Sequence, residues 1–447
     1  MPDRPSDPTL PNPGISLTTL PGSAQISPPL SAAVAFDPSA QRAPVRSLYI
    51  HIPFCVHKCH YCDFYSFVDT KDQQAAFISR LLQELAALAP HTHDLHHTPV
   101  PLHTIFIGGG TPSLLRPDLW STLLHTLNQL FDLSLIRAHA TGTEFTVECN
   151  PESTTDELLR ILLAGGVSRI SVGAQSFHPH HLQTLQRLHN PDNVARALSL
   201  ASYVGIPRTS LDLIYAIPNQ TLAEWQHDLS TALALNTTHI SCYNLTYEPT
   251  TAMTARLNAG EFAPTDEDLE ADMFQLTSEL LASRNLQRYE VSNYALPGHE
   301  SQHNLAYWLQ HQWLAAGPSA SAHIHCSSSP LLGSHRYKNR PTLAHYLDFS
   351  DRGYAPITSH EPPNPKRLLQ ETAMTAVRLA RGLDLSTFLP QLNHITPRSL
   401  EPFTRQANEL RSDGLLHPAS THPTTLAVTD RGWLLADLIA RKLMAAI

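Results

Sequence analysis

The sequence predicts an α/β fold: a partial (β/α)6 barrel carrying a C-terminal winged-helix-like α+β domain. Two observations carry that reading. Between Ser47 and Tyr243 six dense apolar runs alternate with helix-type stretches, as parallel strands joined by right-handed crossovers require. Past about residue 362 the order changes to helix, helix, β-ribbon, helix. The chain has 447 residues, more than one small core needs and enough for an appended domain.

The expected strands are 47–52, 103–107, 144–149, 169–173, 209–214 and 239–243. Their apolar residues are dense rather than alternating, which suits strands covered on both faces. Between them a helical period runs over 72–88, 117–130, 155–163, 194–204 and 222–235. A barrel or open part-barrel is the natural closure; an open doubly wound sheet is the rival that periodicity alone does not separate.

Residues 1–45 are rich in Pro, Ser, Ala and Thr without a sustained apolar period, and read as a disordered tail. Residues 46–250 form the expected barrel and 251–361 its extension, with a helix at 266–283 and an extended stretch at 287–292. The stretch 293–337, rich in Gly, His, Ser and aromatics, reads as a functional excursion rather than core. The last domain, 362–447, offers helices at 366–380 and 397–413, a turn at Gly414, a strand at 425–428 and a helix at 430–444.

A net charge of −9 speaks against a broad nucleic-acid surface. No run of 18 apolar residues appears, so neither a spanning helix nor a stable membrane anchor is expected. The first residues lack a basic segment followed by an apolar one, and the expected place is the cytoplasm. Six cysteines are too few for a disulfide framework in a chain this long.

Three of those cysteines, Cys55, Cys59 and Cys62, sit in CVHKCHYC directly after the first strand. Thiolates are soft ligands suited to iron–sulfur clusters and zinc. Three of them on a 4Fe–4S cluster leave one iron open to chelate a small molecule. Zinc stays open on the residues alone, with His51, His57 or His60 completing the set. Further along, Gly108-Gly109-Gly110-Thr111-Pro112 ends the second strand, where missing Cβ atoms let backbone approach a ligand. Glu148, Gln175 and Asp212 lie on or after later strands, where ligands of such folds bind, and Arg187 follows.

CxxxCxxC after the first strand of a parallel βα series resembles the radical S-adenosylmethionine superfamily. The segments LYIHIPFC, GGGTPSLL, ECNPE, RISVGAQSF, LDLIYAIPNQT, SCYNLTYEP and YEVSNYALPG are similar to the oxygen-independent coproporphyrinogen III oxidase-like family, from about Ser47 to the C-terminus. The resemblance implies a radical S-adenosylmethionine barrel whose cluster is held by Cys55, Cys59 and Cys62. It implies an S-adenosylmethionine site lined by Tyr49, Tyr61, Gly109, Gly110, Thr111, Glu148, Gln175, Arg187 and Asp212, with Tyr61 near the adenine. In that family an electron from the cluster cleaves the sulfonium to a 5′-deoxyadenosyl radical, so an electron donor such as flavodoxin or ferredoxin is implied.

True oxidases of the family carry a fourth cysteine two residues after the third; this chain has Phe64 there. The heme-chaperone HemW branch carries HNxxYW, matched by His303-Asn304-Leu305-Ala306-Tyr307-Trp308. The resemblance therefore implies a protein that binds heme as cargo and passes it to heme-dependent respiratory enzymes, with His303, Tyr307 and Trp308 as candidate heme contacts. Read without the family, the same residues make a packed aromatic corner. The alternatives are radical decarboxylation of coproporphyrinogen III, and a radical methyltransferase acting on nucleic acid, which the low basic charge disfavours. His323, His325 and Cys326 read as a solvated His-rich loop, with iron or heme binding as the other reading.

Overall fold

The computed structural model describes residues 30–36, 42–327 and 329–447. In chain order the strands are β1 (Ser47–Ile52), β2 (Phe54–Cys55), β3 (Phe67–Val68), β4 (Thr104–Gly109), β5 (Glu144–Cys149), β6 (Arg169–Gln175), β7 (Arg208–Tyr215) and β8 (His239–Asn244). There follow β9 (Gln287–Arg288), β10 (Asn293–Ala295), β11 (Leu314–Ala316), β12 (Ser321–His325), β13 (Ser334–Asn339), β14 (Ile357–Glu361), β15 (Leu383–Asp384) and β16 (Thr425–Leu426). One sheet has the order β11-β1-β4-β5-β6-β7-β8-β10-β9.

Within it β1, β4, β5, β6, β7 and β8 pair parallel in chain order. A doubly wound sheet reverses its strand order at a switch point; this one runs in one direction, so the part-barrel reading holds. Helices Gln74–Leu88, Pro117–Leu130, Asp156–Gly165, Asp192–Val204 and Leu222–Ala234 make the crossovers. Their apolar faces, such as Leu119, Leu123 and Leu127, pack on strand residues that are fully buried, among them Ile50, Ile105, Val147 and Ile170. The barrel stays open, because antiparallel β10 covers β8 while β11 lies parallel on β1.

Four expectations change. The tail is not featureless up to residue 45: among its described residues, Ala32 and Ala35 are buried, Ser31 bridges Pro356, and Phe36 stacks on His91 at 3.8 Å. Residues 1–29 and 37–41 of that expectation lie outside the described residues. The stretch 293–337 is partly core: Leu314, Ala315 and Ala316 are fully buried on β1, and β12 and β13 build a second sheet with β14. His323 belongs to that sheet and not to a solvated loop. It is buried, its Nδ1 meets the His311 carbonyl at 2.9 Å, and its Nε2 bonds Ser334 Oγ. Last, the helix expected at 430–444 breaks into Asp430–Trp433 and Ala436–Ala445.

The C-terminal domain has its own core around Phe388, Phe403, Leu410, Trp433 and Leu443. Arg288 of β9 joins it to the barrel. Its guanidinium lies over the rings of Phe274 at 4.1 Å and of Tyr294 and Trp433 at 5.2 Å each. Glu290 bridges Leu379 next to this contact.

Candidate functional site

The C-terminal ends of the parallel strands open on a cavity of about 620 Å³. The loop after β1 projects three cysteines into it. That loop is held from both sides: the His60 N–H donates to the Leu185 carbonyl at 3.1 Å, and the Met253 N–H to the His60 carbonyl at 2.8 Å. Cys55, Cys59 and Cys62 all line the cavity as free, half-buried thiols. Cys55 Sγ lies 3.5 Å from Thr111 Oγ1, and Arg187 Nη1 lies 3.9 Å from Cys59 Sγ. Burial, with repulsion from the neighbouring cysteines, pushes Cys62 up to about 11 and also raises Cys55. Thiols kept protonated by burial become thiolates when a soft cation takes the place of the proton.

Three cysteines of one loop lining one cavity suit a 4Fe–4S cluster, which takes one thiolate on each of three irons, whereas a structural zinc takes a fourth protein ligand. Of the three histidines that could complete a zinc site, His51 and His60 are engaged elsewhere. His51 Nε2 donates to the Tyr65 carbonyl at 2.7 Å, so its Nδ1 accepts from Tyr49 Oη at 3.0 Å. His60 Nδ1 faces Arg256 at 3.3 Å. His57 does line the cavity, and its Nε2, like Arg187 Nε, is buried without a partner.

The glycine run closes the floor. A Cβ at Gly108 would sit 2.7 Å from Glu148 Oε2, at Gly109 2.5 Å from the His51 ring, and at Gly110 2.7 Å from the Phe54 carbonyl. Gly109 also has φ +116°, open to glycine and strained for other residues. Its N–H donates to Glu148 Oε2 at 3.0 Å, fixing the carboxylate across β4 and β5. Opposite stands Asp212 on β7, which accepts from Ser171 Oγ at 3.1 Å. Enclosure by protein raises both carboxyls, Glu148 to about 7 with Asp212 adding to its shift, and Arg187 partly relieves each. Arg187 is itself tied to the Gly173 carbonyl at 3.1 Å. Two enclosed carboxylates face one partly diverted guanidinium and a second, Arg169, already paired with Glu144, so the site is short of positive charge, which a ligand bearing an ammonium and a sulfonium supplies.

Helix Gln302–Trp308 caps one wall. Glu144 pairs with Arg169 at 2.9 Å, both buried, and accepts from Ser301 Oγ and the Gln302 N–H at 3.3 Å each. A carboxylate at a helix start satisfies its free N–H groups, so this pair fixes the helix against the barrel. His303 then points inward. Its Nδ1 meets Thr104 Oγ1 at 2.8 Å, its Nε2 meets Tyr307 Oη at 2.7 Å, and its ring stacks on Phe106 at 5.4 Å.

Residues 49–232 match the Radical SAM superfamily. A heme chaperone HemW of Bacillus subtilis is 31% identical over 88% of this chain and 97% of its own length. One of Mycobacterium tuberculosis is 33% identical over 89% and 94%. The chain belongs to the HemW family. Its fold also matches a solved radical SAM enzyme, the coproporphyrinogen III oxidase of Escherichia coli, with TM-score 0.72 and 22% identity over 91% of each chain. No helix among the described residues is long and apolar enough to cross a membrane.

In this HemW family member the structure gathers most of the expected residues at one place. Tyr61, Gly110, Thr111, Glu148, Gln175, Arg187 and Asp212 line the same cavity as the cysteines. Tyr61 packs its other side on Leu185, Ile214, Leu245 and Met253. Tyr49 and Gly109 stand behind the lining, positioning His51 and Glu148. The expectation of heme contacts at His303, Tyr307 and Trp308 meets a different arrangement. His303 is 1% exposed with both nitrogens engaged, and of the HNLAYW helix Asn304 alone reaches the cavity lining. Glu144 and Arg169 escaped the sequence reading, because a charged pair on a buried strand resembles any strand-end polar pair until the helix it anchors is placed.

Proposed function

We propose that this chain is a cytoplasmic heme chaperone of the HemW type, which binds heme and hands it to heme-dependent respiratory enzymes. Cys55, Cys59 and Cys62 hold a 4Fe–4S cluster in this reading. S-adenosylmethionine lies against Glu148, Asp212, Gln175, Arg187 and Tyr61, with Gly109, Gly110, Thr111 and Tyr49 shaping the floor. A bound cluster supplies an electron and an open iron for the amino and carboxylate groups of S-adenosylmethionine. Flavodoxin or ferredoxin is the proposed donor, and no nucleic acid takes part.

The observation that carries the heme reading is the rim of the cavity. Phe64 and Tyr243 line it while 60% and 41% exposed, and Val56 and Leu188, next to lining residues Cys55 and Arg187, are 69% and 61% exposed. A planar apolar macrocycle with ionised edges matches an apolar rim around a polar floor. Phe64 stands where true oxidases of the resembled family place their fourth cysteine, and the relatives above carry the name heme chaperone.

The test uses anaerobically reconstituted protein with S-adenosylmethionine and reductant. Stoichiometric heme uptake, with no product from coproporphyrinogen III, is expected. Protoporphyrinogen IX formed over many turnovers would make the protein an oxidase instead. F64E with L188E should weaken heme binding by at least ~10-fold while cluster absorption is kept. H303A should lower the thermal midpoint and leave the heme spectrum in place. A shifted heme spectrum with unchanged stability would return the axial ligand to His303.

A further inference from the structure

The segment after β6 reads Ser176-Phe177-His178-Pro179-His180-His181 and faces the first turn of helix Leu222–Ala234. The cavity uses none of these histidines. His180 Nε2 lies 3.0 Å from Glu224 Oε1, and His178 Nε2 lies 3.2 Å from the Glu224 carbonyl oxygen. A ring nitrogen of His178, one of His180 and a carboxylate oxygen of Glu224 fall within 4.8 Å of one another. Glu224 Oε2 is engaged by the Thr221 N–H and hydroxyl at 2.8 Å each, which leaves Oε1 facing the histidines.

His181 adds a separate observation. Its side chain is 1% exposed, and neither ring nitrogen meets a hydrogen-bond partner. Its Nε2 points toward Glu224 Oε2 from 3.5 Å. Buried polar groups without partners are rare in folded proteins and ask for an explanation.

We propose that His178, His180 and Glu224, with His181 as a fourth donor, form a site for a borderline divalent transition metal, zinc by the chemistry of the set. Three imidazoles and one carboxylate suit zinc and its neighbours, whereas calcium and magnesium take oxygen ligands. Bonds of about 2.0 Å in a tetrahedron set ligand atoms roughly 3.3 Å apart. The His180 side chain, 58% exposed, has room for the turn this requires. The ion would pin the segment between Gln175 and Arg187, both cavity-lining, to the same helix whose Asp228 already accepts from its Ser176 Oγ and Phe177 N–H at 2.7 Å each. Metal occupancy is thereby linked to the rigidity of that wall.

The experiment titrates the cluster-reconstituted full-length chain with Co²⁺ under anaerobic conditions, followed by displacement with Zn²⁺. One tightly bound Co²⁺ per chain is expected, with visible d–d absorption and no sulfur-to-cobalt charge-transfer band. H180A and H178A should each weaken that phase by at least ~10-fold. H360A, in the separate pair His335–His360 at 3.0 Å, should leave it unchanged. Should H178A fold poorly, H180A on its exposed side chain decides alone. The proposal is overturned by the absence of a tight phase, by one that survives H180A, or by a thiolate band that puts the cobalt on the cysteines.

Discussion

At the scale of single residues the cavity is governed by a shortage of positive charge around Glu148 and Asp212. Glu148 keeps one short contact, from the Gly109 N–H at 3.0 Å, and enclosure holds its carboxyl up at about 7. Glutamine at that position keeps the shape and removes the charge. E148Q should therefore fold normally and keep cluster absorption. It should bind S-adenosylmethionine about 10- to 100-fold more weakly, the usual worth of a charge-assisted hydrogen bond. Anaerobic equilibrium dialysis measures this, and equal affinity would mean that Glu148 does not face the cationic part of the ligand. The cysteine loop and its carboxylates were legible in the sequence because soft ligands at fixed spacing and acids at strand ends have few structural uses. His303 was not, since an imidazole hydrogen-bonded by Thr104 and Tyr307 and one free to ligate share the same letters.

At the scale of elements, the strand order followed from the alternation of dense apolar runs with helical periods, while the boundaries shifted where packing overrode pattern. Strand β4 runs two residues past the expected 107, into Gly108 and Gly109, because those glycines let it pass the Glu148 carboxylate and the His51 ring. The helix Leu385–Ile395 went unread since Pro390 interrupts its period; the Asp384 side chain, accepting the Ser386 N–H at 2.9 Å, starts it regardless. The glycine run offers a sharp test of strand-end packing. G109A places a Cβ 2.5 Å from His51 at φ +116°, whereas G142A sits at φ +79° with nothing within 4 Å. Both variants carry backbone strain of about 1–3 kcal/mol, and G109A adds overpacking of similar size. G109A should thus lower the thermal midpoint clearly more than G142A and impair cluster uptake. Equal midpoints would show that His51 yields freely, and that the end of β4 is held by something other than this contact.

The barrel core and the C-terminal core meet at β9 and β10, and that joint was invisible in the sequence. Arg288 lies over Phe274 and Tyr294, its near neighbours in the chain, and over Trp433, more than a hundred positions away, with no local period to announce the last contact. Beside it, Glu290 is 1% exposed, its Oε1 has no partner, and burial raises its carboxyl to about 7. The consequence for stability has a definite sign. Between about pH 4.5 and 7 the folded chain keeps a proton on Glu290 that the unfolded chain has released, so this residue's contribution falls as pH rises through that window and is constant above it. The size is set by the shift and is of order 3 kcal/mol. Glutamine is neutral throughout and fits the same space. E290Q and wild type should therefore have similar unfolding midpoints near pH 4.5, with the variant drawing ahead up to about pH 7 and holding a steady lead beyond it. Because every other group titrates equally in both chains, the difference between the two curves isolates Glu290. A lead that is already full at pH 4.5 would trace the effect to packing at the joint, and a lead that never develops would mean that water reaches Glu290 where the two cores meet.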